Sequence, residues 1–147
     1  MNASNPAIRK AIVAFACALY ALSLFLPGLL FERRAPLPGY EILMFGWLGI
    51  LSFDFAWYGN PMFVLSAIFL GFKHARKSAF TSSVGFFLGF LAVFAKEWWF
   101  NEGAGTPIKE LGIGYYIWMC SFLLLMFGSF FMPEFSESQQ NQNRDHA

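Results

Sequence analysis

Apolar residues gather in four stretches free of Asp, Glu, Lys and Arg, about 11–31, 55–72, 79–95 and 112–132. At 1.5 Å per residue, runs of this length match the roughly 20 residues that carry a helix across a hydrocarbon layer about 30 Å thick. Backbone groups in lipid must be satisfied within the segment, and none of the runs alternates with period two, so each is expected to be helical and strands are excluded. The expected fold is an all-α integral membrane protein, a four-transmembrane-helix bundle over 1–132.

The fourth run illustrates the energetics. Nine Ile, Leu and Phe residues between Ile113 and Phe131, at about −0.5 kcal/mol each, favour insertion by roughly 4 kcal/mol. The first run follows Arg9 and Lys10, as a signal peptide does, but it is longer than a signal h-region and lacks an A-x-A site near its end. It reads as a retained helix continuing through Pro27 and Gly28 to Phe31. In the second run, Asp54 is placed to cap free N–H groups, with Trp57 and Tyr58 at the depth of an aromatic belt. Asn60-Pro61 either kinks this helix or marks its first turn, with Asn60 as the cap.

Between the first two runs, 41–53 is apolar on nearly every side but too short to cross. It is expected to lie in the interface or dip in as a re-entrant piece, a packed cap over the bundle. The loop 96–111 holds Glu97, Glu102 and Glu110 around a Gly-rich centre, between Trp98-Trp99-Phe100 and Tyr115, Tyr116 and Trp118. It lacks the alternating oxygen ligands of a calcium loop and the Lys-Ser/Thr of a phosphate cradle, and reads as turn chemistry between aromatic anchors. If the outer face recognises anything, Trp47, Trp98, Trp99, Glu102 and Tyr115 are the candidate residues. The tail 133–147, rich in Ser, Gln and Asn, is expected to be disordered and cytoplasmic.

Composition agrees with lipid as the solvent: 57% of residues are hydrophobic, 13% are charged, and Phe alone fills 20 positions. A net charge of +1 gives no field to attract nucleic acid. Cys17 and Cys120 lie inside apolar runs and read as buried small hydrophobes, not a disulfide or metal pair.

Lys73-His74-Ala75-Arg76-Lys77 is a short basic connection without an acid, which the positive-inside rule places in the cytoplasm. Both termini follow it there. Arg9, Lys10, Lys73, Arg76, Lys77 and Arg144 then share one side, against Arg33, Arg34, Lys96 and Lys109 on the other. Arg33 and Arg34 are discordant, moderated by Glu32 and Glu41. A bacterial inner membrane is the expected location.

No ionisable residue falls in mid-span, which weighs against ion-coupled transport, voltage sensing and intramembrane proteolysis. Tyr20, Ser23, Ser66 and Ser121 are expected to bond helix carbonyls. The clearest contact feature is Thr81, Gly85 and Gly89, a small-residue stripe at four-residue spacing for helix packing within the bundle, or toward a homo-oligomer or protein partner. No nucleophile–base pair, metal cluster or cofactor motif is visible. The expected role is non-catalytic, through protein contacts in or at the membrane (accessory subunit, assembly factor or toxin-immunity-type protein), with membrane lipid as the surrounding partner. The alternative is a small oligomeric channel or transporter for a neutral solute, which requires a polar stripe through the bilayer.

Overall fold

A computed structural model describes residues 6–52, 54–100 and 105–132. The tail 133–147 and Glu102 lie outside the described residues. Among the described residues, five α-helices, α1 (Pro6–Phe25), α2 (Gly39–Phe45), α3 (Gly59–Gly71), α4 (Ala75–Phe90) and α5 (Ile113–Phe130), are interleaved with four strands, β1 (Pro27–Phe31), β2 (Leu37–Pro38), β3 (Glu97–Trp99) and β4 (Gly105–Leu111). Short 3₁₀ turns cover Gly46–Ser52, Ala56–Tyr58 and Leu91–Phe94.

Three helical stretches, Pro6–Phe25, Ala75–Phe94 and Ile113–Phe130, are long and apolar enough to cross a membrane. Their large outward side chains are apolar: Phe15, Phe25, Phe80, Phe87, Phe94, Phe127 and Phe130 are each more than half exposed. The helix α3 is shorter, but with the preceding 3₁₀ turn it rises roughly 26 Å. Its partner is α4, joined to it through Phe72–His74 alone. Gly59 approaches Gly85, and Ser66 hydrogen-bonds to Ser78, so the two run antiparallel as a hairpin about Phe72. The helices α1, α3, α4 and α5 pack side by side, and the buried core between them is Ala16, Phe63, Leu70, Phe122 and Leu125.

The sheet corrects the expectation that every element is helical. Its order is β2-β1-β4-β3, antiparallel throughout. The first helix does not run to Phe31: it stops at Phe25, because a residue before proline is disfavoured from α geometry and Pro27 supplies no N–H. Pro27 opens β1 instead, a position where a strand tolerates proline. Likewise the described residues of 96–111 form the strand pair β3–β4, with Trp98 opposite Thr106, and the expected turn at 101–104 lies outside the described residues. A second core forms on the sheet from Leu29, Phe31 and Leu37, with Ile42, Trp98, Phe100, Ile108 and Leu111 against it.

Three further differences concern helix ends. Pro61 sits in the first turn of α3 and starts that helix without kinking it, though Asn60 is not the cap. Asp54 is not the cap of the 3₁₀ turn before α3, which is Phe55, but its carboxylate accepts from the Ala56 N–H at 3.0 Å. Arg76 and Lys77 belong to the first turn of α4 and are not loop residues, because the connection tightens at Lys73, whose φ is 69°. The Lys73 and His74 amides donate to the Leu70 and Phe69 carbonyls, closing α3 with the paired bonds of a Schellman turn. The segment expected at 41–53 is the short helix α2 followed by a 3₁₀ turn, neither long enough to cross.

Candidate functional site

Charge and topology give the molecule two distinct ends. The start of α1, the α3–α4 connection and the end of α5 share one end, where Arg9, Lys10, Lys73, His74, Arg76 and Lys77 occur with no acid among the described residues. The sheet, α2 and the 3₁₀ turns share the other end, where Glu32, Glu41, Asp54, Glu97 and Glu110 accompany Arg33, Arg34, Lys96 and Lys109.

At the sheet end, close backbone approaches fix the elements. The Gly39 N–H donates to Leu26 O at 3.0 Å, and the Gly112 N–H donates to Gly28 O at 2.9 Å. A Cβ on Gly114 would sit 2.8 Å from Leu26 O, so only glycine lets the first turn of α5 meet the last carbonyls of α1. That meeting sets the positive end of one helix dipole against the negative end of another. Trp57 Nε1 donates to Leu43 O at 2.8 Å, tying α2 to the turn before α3. The Tyr20 hydroxyl donates to Asn60 Oδ1 at 2.9 Å, and Asn60 Nδ2 donates to Trp57 O at 2.8 Å, so α1 joins the same relay.

Beneath the sheet these elements line a partly open cavity of about 90 Å³, with Ser23, Ile42, Trp57, Asn60, Tyr115 and Trp118 among its walls. Trp118 also packs beside Phe122, and its Nε1 is buried with no hydrogen-bond partner among the described residues. The cavity walls are mostly apolar. Among the described residues, no three His, Cys, Asp or Glu side chains converge on a point where a metal would sit.

The sequence-derived candidates separate. Trp47 and Trp99 are exposed, at 51% and 53%, on the flanks of the sheet end. Trp98 is half-buried and turned onto the sheet core, edge-on to Phe100. Tyr115 is not an outer-face residue: it is buried, and its hydroxyl donates to Gly89 O at 3.3 Å inside the helix packing. Thr81, Gly85 and Gly89 are all buried: Gly85 faces α3 and α5 of the same chain, Gly89 faces α5, and the Thr81 hydroxyl bonds to the Lys77 carbonyl of its own helix. A Cβ on Gly85 would strike the Phe122 ring and lie 3.0 Å from Met62 Cβ, and one on Gly89 would lie 2.8 Å from Met119 Sδ. Cys17 and Cys120 are free and exposed on the helix surfaces, not buried. Arg34, discordant by charge, stacks its guanidinium 3.6 Å above the Phe100 ring.

The chain matches no family model, no curated protein and no solved structure.

At the basic end lies an element missed in the sequence. Ser129 Oγ donates to Ser78 Oγ at 2.7 Å, Ser78 and Ser66 hydroxyls share a bond of 2.9 Å, and Ser66 Oγ donates to Ser78 O at 3.0 Å. Assigning one proton to each hydroxyl runs the chain Ser129 to Ser78 to Ser66 to the Ser78 carbonyl without a conflict. Ser82 and Thr81 add bonds to the same carbonyl at 2.7 Å and 3.2 Å. Three helices are thus joined through one residue, in an environment where an unmade bond is costly. Ser78, Thr81 and Ser82 stand at i, i+3 and i+4, so the signal was a hydroxyl face on α4 opposite Ser66 and Ser129.

Proposed function

We propose that this is a four-span integral membrane protein of a bacterial inner membrane, both termini in the cytoplasm and the sheet outside, working without catalysis through contacts with a protein partner. The observation that carries the four crossings is where the chain meets the sheet. Both β1 after α1 and β3 after α4 join one sheet, so the intervening α3–α4 hairpin leaves that end and returns. The α3 half therefore traverses the same thickness as its α4 partner. The basic end, rich in Lys and Arg, is the cytoplasmic side by the positive-inside rule.

Contact at the sheet end is supported by what it exposes. Tyr40, Met44, Phe45, Trp47 and Leu48 on α2 and the turn after it, and Trp99 on the edge strand β3, present large apolar surface beside ionic groups. Exposed aromatics beside charged groups are the composition of a protein-binding surface. The buried glycine stripe is occupied by the chain's own helices, which moves the expected partner face from α4 to this end.

Conduction of a solute receives less support. The polar pair Tyr20–Asn60 and the serine cluster are separated by Phe63, Phe122, Ala16 and Leu125, all buried, and so by a dry apolar layer.

Photo-crosslinking with p-benzoylphenylalanine at Trp47 and at Trp99 in living cells tests the contact. A discrete adduct with a second protein at either position is the expected result. Recovery of the chain alone from both positions, with solute flux in liposomes, would replace this reading with the conducting one.

A further inference from the structure

Trp118 gives the cavity beneath the sheet a chemistry that its neighbours in the wall lack. Ser23 Oγ donates to Tyr20 O at 2.6 Å, Trp57 Nε1 to Leu43 O, Asn60 Nδ2 to Trp57 O and the Tyr115 hydroxyl to Gly89 O, so each of these lining groups is bonded within the chain. The Trp118 indole N–H is buried with no acceptor among the described residues, a state that is destabilising until an acceptor arrives. Two glycines hold the ring in place. A Cβ on Gly59 would lie 3.1 Å from Cζ2 and Cη2, and one on Gly89 would lie 2.9 Å from Cζ3, so the benzo edge is wedged between α3 and α4. Cζ2 and Nε1 are attached to the same ring-fusion carbon, which puts the N–H on the Gly59 side, where Trp57 and Asn60 line the cavity.

We propose that this cavity binds a small uncharged molecule with an apolar body and a carbonyl, whose oxygen accepts from Trp118 Nε1. Volume selects the body. The cavity's 90 Å³ is several times the roughly 10–15 Å³ that one water needs and below the roughly 150 Å³ of a dry cavity that takes benzene. One small ring or a chain end fits, with any remainder leaving through the open side. The walls select against water, which needs two to four polar partners: Trp118 offers a single donor, and Ser23, Trp57 and Tyr115 already donate elsewhere. Charge selects neutrality, because Asp54 in the wall repels an anion and an N–H has nothing to offer a cation. Nε1 is covered, so the carbonyl oxygen must enter between wall side chains to reach it, and the N–H itself reports its arrival. Neither Trp47 nor Trp99 lines the cavity, so the site is separate from the partner contact proposed above.

Titration of the full chain in detergent, isotope-labelled on tryptophan, with cyclohexanone and with methylenecyclohexane, a near-isostere without the carbonyl, tests this. Cyclohexanone is expected to move the Trp118 indole N–H resonance downfield and to saturate, the resonance being assigned by its loss in Trp118→Phe. Benzothienylalanine at position 118 keeps the ring shape and lacks the N–H. It should lower cyclohexanone affinity about fivefold and leave that of methylenecyclohexane within about twofold, both read from the rise of the unfolding midpoint with ligand concentration. Ala95→Leu, which adds bulk at the wall, should abolish binding of both compounds. If that variant does not accumulate, the benzothienylalanine comparison, which leaves the volume unchanged, decides alone. Competition of dihexanoylphosphatidylcholine with cyclohexanone would assign the carbonyl to a lipid ester, and its failure to compete would assign it to a free solute. Three results would overturn the proposal: no saturable shift with cyclohexanone, equal losses for both compounds when the N–H is removed, or cyclohexylammonium binding as well as the ketone, which would give the site to Asp54.

Discussion

At the basic end, α3, α4 and α5 are joined by hydroxyls that converge on Ser78, whereas at the sheet end the helices are clamped by backbone contacts through Gly39, Gly112 and Gly114 and by the amide and indole of Asn60 and Trp57. The reason lies in what surrounds each end. The serine cluster is wholly buried between helices, where small hydroxyls bond across without opening the packing. The sheet end must turn the chain several times, and each turn leaves backbone donors and acceptors to satisfy; strands and close glycine contacts meet that demand. Hydroxyl-to-hydroxyl bonds thus hold one end, and main-chain contacts with side chains bonded to main-chain carbonyls hold the other, so substitutions should affect them differently.

The largest effect is expected between the two ends. Gly85→Leu forces α4 away from Phe122 and Met62 and should destabilise the fold by about 3 kcal/mol, read as a fall in unfolding midpoint in detergent or loss of accumulated protein. Unchanged stability would mean that the stripe is not a packing face. At the basic end, Ser78→Ala should cost about 1–2 kcal/mol, because Ser129 then has a buried hydroxyl with no acceptor. Adding Ser129→Ala should recover part of that loss. A double variant as unstable as the sum of the singles would show that the hydroxyls act independently.

A smaller and local effect is expected at the sheet end. Trp57→Phe removes the bond to Leu43 O and should cost about 1 kcal/mol, with faster amide exchange in α2 and the following turn and none in α3–α4 beyond Phe63. Exchange that rises equally at both ends would erase the distinction between them. The smallest change is a gain. Lys73 holds a left-handed conformation that glycine adopts without strain, so Lys73→Gly should stabilise by up to about 1 kcal/mol while weakening the charge bias of that end. A lysine kept at some cost in strain fits a position whose charge sets orientation.

These differences also explain what could be read from the chain. The helices were legible because lipid-length apolar runs are long and strongly patterned, and α5 begins and ends within two residues of the run 112–132. The sheet was not, because its strands are three to seven residues apart from the two-residue β2, and the β1–β4 register shifts between Leu30 and Phe31, which breaks any alternation. Pro27 is the one local signal against a helix running on to Phe31. The glycine stripe was visible as a spacing, but only the facing rings of Phe122 and Trp118 show what it meets. Ser78 was invisible as a hub because its partners Ser66 and Ser129 come from helices on either side of α4 in the chain. Tyr115 is ambiguous from sequence because an aromatic near a span end can anchor an interface or fill a helix contact, and its bond to Gly89 O decides for the latter.

The four crossings are tested most directly by the side of the membrane on which each end of the molecule lies. In a background with Cys17 and Cys120 replaced by alanine, single cysteines at His74 and at Lys109, both exposed, report on the α3–α4 connection and on β4. With a membrane-impermeant thiol reagent on intact cells, Lys109→Cys should be labelled at once and His74→Cys only after permeabilisation. Labelling of both from the same side would mean that the α3–α4 hairpin does not cross, and would contradict the account.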